Sequence, residues 1–209
     1  MFEYVQIGGA FMWPIFCLSV LGVAVLLEKG AYFLFTEIDA TSSFKIKLCN
    51  LILEGDYEKI KEFCKKYKNS LAKTTLFVVE NLGKGANKTQ IDYIAEEAVS
   101  MQLTSLERRT WILGLCASAS PQLGLLGTIV GMIKAFNGLS GGTDAPLVAV
   151  GISEALYTTA FGLIVAIPCV IFYLMINKKI DFILNDLNRI MSLFGRSFER
   201  RNCEVCPQG

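Results

Sequence analysis

The chain has 209 residues, 53% of them hydrophobic and 19% charged, and its 20 basic and 19 acidic side chains leave a net charge of +1 with no histidine. Lack of histidine removes the Ser–His and Cys–His pairs of nucleophilic catalysis, and a balanced charge gives no basic footprint for nucleic acid. The apolar residues are clumped rather than spread at amphipathic spacing. Stretches 7–27, 111–133 and 155–177 carry no charge and are long enough for a bilayer, which needs about 20 residues. The composition predicts an all-α polytopic membrane protein with three transmembrane helices and a cytoplasmic helical bundle.

In chain order, the first stretch has no Lys or Arg before it, so the basic leader of a signal peptide is missing and a retained membrane helix is expected. Lys29 follows it, and twelve basic residues then lie between Lys45 and Arg109; none lies in 137–153 and six lie in 177–209. Lys134 is the exception near the opposite side. The positive-inside rule therefore predicts an outer N-terminus, a cytoplasmic middle segment, a short outer loop and a cytoplasmic tail. Four segments result: 1–35 with the first membrane helix, 36–108 as a cytoplasmic helical region, 109–176 as a hairpin of the second and third membrane helices, and 177–209 as an amphipathic helix and tail.

Within 36–108, Phe44, Leu48, Leu51 and Ile52 recur at helical spacing, as do Tyr57, Ile60, Phe63, Cys64 and Tyr67 after a break at Gly55-Asp56. Residues 81–88 read as a loop. Thr89 with Asp92 reads as a capping box opening a helix with Ile94, Ala98, Met101, Leu103 and Leu106 on one face. That helix is expected to run unbroken into the second membrane stretch.

The second membrane helix carries a small-residue stripe, Ala117, Pro121, Gly124, Thr128, Gly131 and Ala135, and a GxxxG at Gly127 and Gly131. The third carries Gly151, Ala155, Thr158 or Thr159, Gly162 and Ala166. In lipid such stripes let helices approach closely. Joined by a short loop, the helices are antiparallel, and Thr128 and Thr159 both fall about 10 Å from the outer end. Glu154 lies about 7–8 Å further out; a carboxylate at the membrane edge is a functional candidate by default. The hydroxyls either line a path for water, ions or a partner's carboxyl, or bond carbonyls one turn back in their own helices. Pro121 and Pro168 remove backbone donors and favour kinks. After the third stretch, Ile180, Ile183, Leu184, Leu187, Ile190, Met191 and Phe194 extend the helix amphipathically.

Gly138-Leu139-Ser140-Gly141-Gly142 matches G-x-S-x-G in form, but it joins membrane helices and has no histidine to serve it. Cys203 and Cys206 form a lone CxxC with no second ligand pair. Cys17, Cys116 and Cys169 read as packing residues. No nucleotide fingerprint or metal cluster is present in the sequence, so no enzyme activity, metal or cofactor is expected.

The segments LSVLGVAVLLEKGAY (18–32), LERRTWILGLCASASPQLGLLGTIVGMIKAF (106–136) and GISEALYTTAFGLIVAIPCVIFY (151–173) resemble the MotA/TolQ/ExbB proton-channel family, in its three-helix TolQ/ExbB branch. They cover about a third of the chain. The flagellar MotA branch, with four membrane helices, fits less well. The resemblance implies a bacterial inner-membrane pentamer around two copies of a single-helix ExbD/TolR-like partner that bears an intramembrane aspartate, working with a TonB/TolA-like protein. It implies ion-pathway roles for Thr128, Thr159 and Glu154, driven by H⁺ or Na⁺, in energised outer-membrane transport or envelope maintenance. Thr158 stands where a small apolar residue is common, which leaves open whether Thr158 or Thr159 faces the path. A passive oligomeric scaffold is the alternative from another class.

Overall fold

The computed structural model describes residues 11–36, 42–82, 88–140 and 145–204. The described residues are helical throughout their regular structure: α1 (Met12–Thr36), α2 (Ser42–Glu54), α3 (Tyr57–Lys65), α4 (Ser70–Asn81), α5 (Lys88–Glu107), α6 (Thr110–Ser140) and α7 (Ala145–Glu204). They fall into two units, Met1–Lys29 with Arg109–Ile176, and Gly30–Arg108 with Asn177–Gly209. Of the expected loop 81–88, Asn81 ends α4 and Lys88 opens α5; 83–87, like the end of the CxxC at Cys206, lie outside the described residues.

The first unit holds the apolar spans. Three helices are long and apolar enough to cross a membrane, over Met12–Phe33, Thr110–Gly138 and Val148–Ser197. Only 22%, 28% and 22% of their most apolar windows are buried inside the chain, so most of each apolar surface faces outward. α1 meets α6 and α7 at Gly22: a Cβ there would lie 3.0 Å from the Cys169 sulfur and 3.7 Å from that of Cys116. The Cys116 thiol donates to the Leu18 carbonyl at 3.3 Å. Cys116 and Cys169 are buried packing residues, whereas Cys17 is exposed on α1.

α1 runs through Glu28 and Lys29 to Thr36, close to the end of the expected 1–35 segment. Glu28 accepts two hydrogen bonds from Arg109 Nη1, at 2.6 and 2.7 Å. One expectation fails: α5 does not run on into α6. The helix stops at Glu107, and Arg109 adopts φ 65° before α6 restarts at Thr110. A left-handed non-glycine residue is costly; Arg109 pairs with Glu28 from this conformation. No Gly or Pro marks that break in the sequence.

The second unit is a bundle whose core is written in the helical periodicity. Phe44, Leu48 and Ile52 of α2, Ile60 and Cys64 of α3, and Leu71 and Val78 of α4 are buried. Phe44, Phe63 and Tyr67 form an aromatic cluster with centroids 4.7–5.3 Å apart. Gly55 turns the chain with φ 76°, and Asp56 caps α3 by accepting from the Lys59 amide. Asn69 caps α4 in the same way through Ala72 at 2.8 Å. From α7, Ile180, Ile183, Leu187, Ile190, Met191 and Phe194 join this core, with Lys45 of α2 paired to Asp186. α5 buries Ile91, Ala95, Ala98, Val99 and Leu106; of the expected face Ala98 and Leu106 are buried, Ile94 and Leu103 half-buried, and Met101 is 57% exposed. Thr89 lies inside α5, which begins at Lys88, and does not act as its cap.

Burial pushes the Cys64 thiol up from 9.0 to about 12. It stays protonated in the fold, so this contribution to stability is full below pH 9.0 and is lost as pH rises toward 12. At mildly alkaline pH, iodoacetamide is expected to modify Cys64 about a thousandfold more slowly in the folded than in the unfolded chain. Peptide-level mass spectrometry measures this; equal rates would show the thiol to be open.

Candidate functional site

The site is built where α6 and α7 meet. Their contact is set by residues too small to keep the backbones apart. A Cβ placed on Gly131 would lie 2.7 Å from that of Ala155 and 3.1 Å from the Gly151 carbonyl oxygen. One on Gly124 would lie 3.0 Å from the Thr159 Cα, and one on Gly162 would lie 2.7 Å from the Ser120 carbonyl oxygen. Ala135 packs against Gly151 at the other end. This register is antiparallel. Backbones this close gain dispersion and short polar contacts, the main sources of helix association in lipid.

The expected stripe on α7 is the one that packs: Gly151, Ala155, Thr158, Gly162 and Ala166 are all buried. The stripe on α6 is turned slightly from the expected one. Ser120, Gly124, Gly127, Gly131 and Ala135 are buried, while Ala117, Pro121 and Thr128 are half-buried. The expected 4-3-4-3 spacing is satisfied by either set, because both average close to one helical turn. α6 continues through Pro121, and α7 through Pro168.

The three hydroxyls separate by partner. Thr158 is 1% exposed; its Oγ1 donates to the Glu154 carbonyl at 2.8 Å, and its methyl fills the space a Cβ on Gly127 would need, 2.4 Å away. Thr159 reaches across the seam and donates to the Gly124 carbonyl at 2.9 Å. Thr128 donates to its own helix, to the Leu125 carbonyl at 2.6 Å. Ser120 is fully buried and its hydroxyl has no hydrogen-bond partner. Thr159 ties the two helices; a bond of this kind is worth about 0.6 kcal/mol and at most roughly 1.7 in a membrane bundle.

Glu154 is not a lone acid. Its Oε1 lies 3.6 Å from Lys134 Nζ, with side chains 24% and 59% exposed respectively. Charge counting treats Lys134 only as an exception to the topology rule; the signal that finds it is the register, since Ala155 and Ala135, one residue beyond each, belong to the facing stripes. The seam thus runs from an ion pair at one end, past three threonine hydroxyls, to a buried serine.

The profile of the MotA/TolQ/ExbB proton channel family matches residues 61–189, which hold all of this hairpin. The chain belongs to that family. Relatives include the Tol-Pal system protein TolQ of Haemophilus influenzae, 40% identical over 112 residues, or 53% of this chain and 49% of that protein. An ExbB-like 3 protein of Synechocystis is 32% identical over 176 residues, 79% of each chain. The biopolymer transport protein ExbB of Helicobacter pylori is 39% identical over 105 residues, 49% of this chain and 72% of that one. The chain therefore spans about half of the TolQ it matches and most of the other two. Within the TolQ/ExbB group, the family and the three apolar helices make this a membrane protein of channel and transport type.

Proposed function

We propose that this chain is the channel-forming subunit of an inner-membrane ion motor, in which five copies enclose two copies of a single-helix, ExbD/TolR-like partner. The N-terminus is periplasmic and the C-terminus cytoplasmic. A proton from outside passes along the threonine-bearing hairpin to the partner's membrane aspartate; neutralising that acid frees the partner helix to move, and release inside resets it. One charge crossing the field yields about 2.3 kcal/mol per 100 mV, so several protons per stroke suit the task. The work serves energised outer-membrane transport or envelope maintenance through a TonB/TolA-like protein.

The observation that carries this reading is the coincidence, in one glycine-tight seam, of a hydroxyl bridging the helices (Thr159 to Gly124), a half-exposed hydroxyl beside it (Thr128), and an acid at one end (Glu154). Helix packing alone needs only the small residues. A passive scaffold is favoured by those small residues and by Thr128 and Thr158, whose hydroxyls bond carbonyls one turn back in their own helices.

The test is to isolate the assembly from native membranes through this chain. A membrane protein with one apolar helix and an aspartate within it is expected to come with it, and a protonophore is expected to abolish the work without dissociating the complex. Recovery of this chain alone, with function indifferent to the protonophore, refutes the motor.

A further inference from the structure

The hairpin and its loop, from Thr110 to Asn177, contain three charged residues, Lys134, Asp144 and Glu154; Asp144 lies outside the described residues. Lys134 and Glu154 face each other across the seam at 3.6 Å. Close helix contacts flank them, at Gly131 against Ala155 and Ala135 against Gly151. The pair therefore stands at the end of the hydroxyl-bearing seam, with the carboxylate the more sheltered member and the ammonium the more exposed.

A bare carboxylate at such a mouth concentrates cations and offers Na⁺ a ligand. Taking Na⁺ further needs oxygen atoms enough to replace its hydration shell. The seam holds four hydroxyl oxygens. Thr128, Thr158 and Thr159 each donate their hydroxyl proton to a carbonyl and keep oxygen lone pairs for a cation, and Ser120 contributes one further hydroxyl. A proton has no such requirement, because it moves by exchange between hydrogen-bonded groups. What separates the two ions is thus whether the Glu154 carboxylate is open to a metal cation, and Lys134 occupies it.

We infer that Lys134 is the ion-selectivity residue of this hairpin: by holding the Glu154 carboxylate it denies the mouth to Na⁺ and leaves the proton as the coupling ion. This rests on the motor reading above. The pair is too exposed to matter much for stability, so removing the ammonium changes the local potential and leaves the helix seam standing.

The experiment uses the assembly purified from native membranes through this chain and reconstituted in vesicles, with a pH-sensitive dye and radiolabelled Na⁺ as probes. Wild type is expected to take up protons and to pass no more Na⁺ than empty vesicles. Lys134→Gln should raise Na⁺ uptake relative to proton uptake by about tenfold; Lys134→Arg should stay proton-selective; Lys134→Gln combined with Glu154→Gln should lose the Na⁺ uptake again. An unchanged ratio in Lys134→Gln, or Na⁺ uptake by wild type, overturns the assignment while leaving the motor intact. A wild-type assembly that moves neither ion overturns both.

Discussion

Gly162→Ala is expected to be the most damaging single-methyl change in the hairpin. The added Cβ would sit 2.7 Å from the Ser120 carbonyl oxygen and 3.3 Å from the Gly124 Cα, and both are backbone atoms of the facing helix. No rotamer relieves that contact; α6 and α7 must separate. Overpacking of this kind costs about 1–3 kcal/mol, and it also stretches the neighbouring Thr159–Gly124 hydrogen bond. Gly127→Ala gives the internal comparison. Its Cβ would meet the Thr158 methyl at 2.4 Å, an obstacle that belongs to a side chain. Thr158→Ser removes that methyl and keeps a hydroxyl but leaves its Cβ 2.9 Å away, so it should recover part of the loss in Gly127→Ala and none of that in Gly162→Ala. Thermal unfolding of the detergent-solubilised assembly measures all four variants. Equal tolerance of Gly162→Ala and wild type would mean that the seam is looser than described.

Thr128→Ala should leave assembly intact and stop the motor. The Thr128 hydroxyl bonds only the Leu125 carbonyl of its own helix and lies on a half-exposed face. Losing such a bond changes stability within about 0.5 kcal/mol. If the hydroxyl relays protons toward the partner's acid, its removal should cut ion-driven work by on the order of a hundredfold, and Thr128→Ser should restore it. Thr128→Val tests the same point with volume kept. Full work by Thr128→Ala, at normal assembly, would make this residue a bystander and return the scaffold reading to favour. The two predictions are complementary: one concerns contacts that hold the helices, the other a group whose contacts hold nothing.

Residues with a strong one-dimensional signature were legible beforehand. Ile180, Ile183, Leu187, Ile190, Met191 and Phe194 repeat at the helical period, and all six are buried. On α7 the small residues from Gly151 to Ala166 allow one packing face, and that face packs. The α5 face is legible only in part because its pattern is weak: Ala98 and Leu106 are buried as expected, while Ile91 and Ala95 pack and Met101 is exposed, and Ala and Met suit either side of a helix. The α6 stripe was off by a fraction of a turn because Gly127 and Thr128 are adjacent and small enough for either to face α7. The break at Arg109 gave no warning, since no Gly or Pro stands there and its partner Glu28 lies 81 residues away.

The sequence by itself determined three apolar spans, an all-helical chain, family membership of its hairpin motifs, and the small residues that permit close approach. These are properties of local composition and period, and they survive any arrangement of the helices. Only the tertiary structure decided which threonine crosses the seam, that Thr158 fills the space over Gly127, and that Glu154 is paired with Lys134. Each depends on the axial register and rotation of α6 against α7, where a shift of one residue turns a helix by about 100°. Register is set by the summed fit of both surfaces, which no window of one strand of sequence contains.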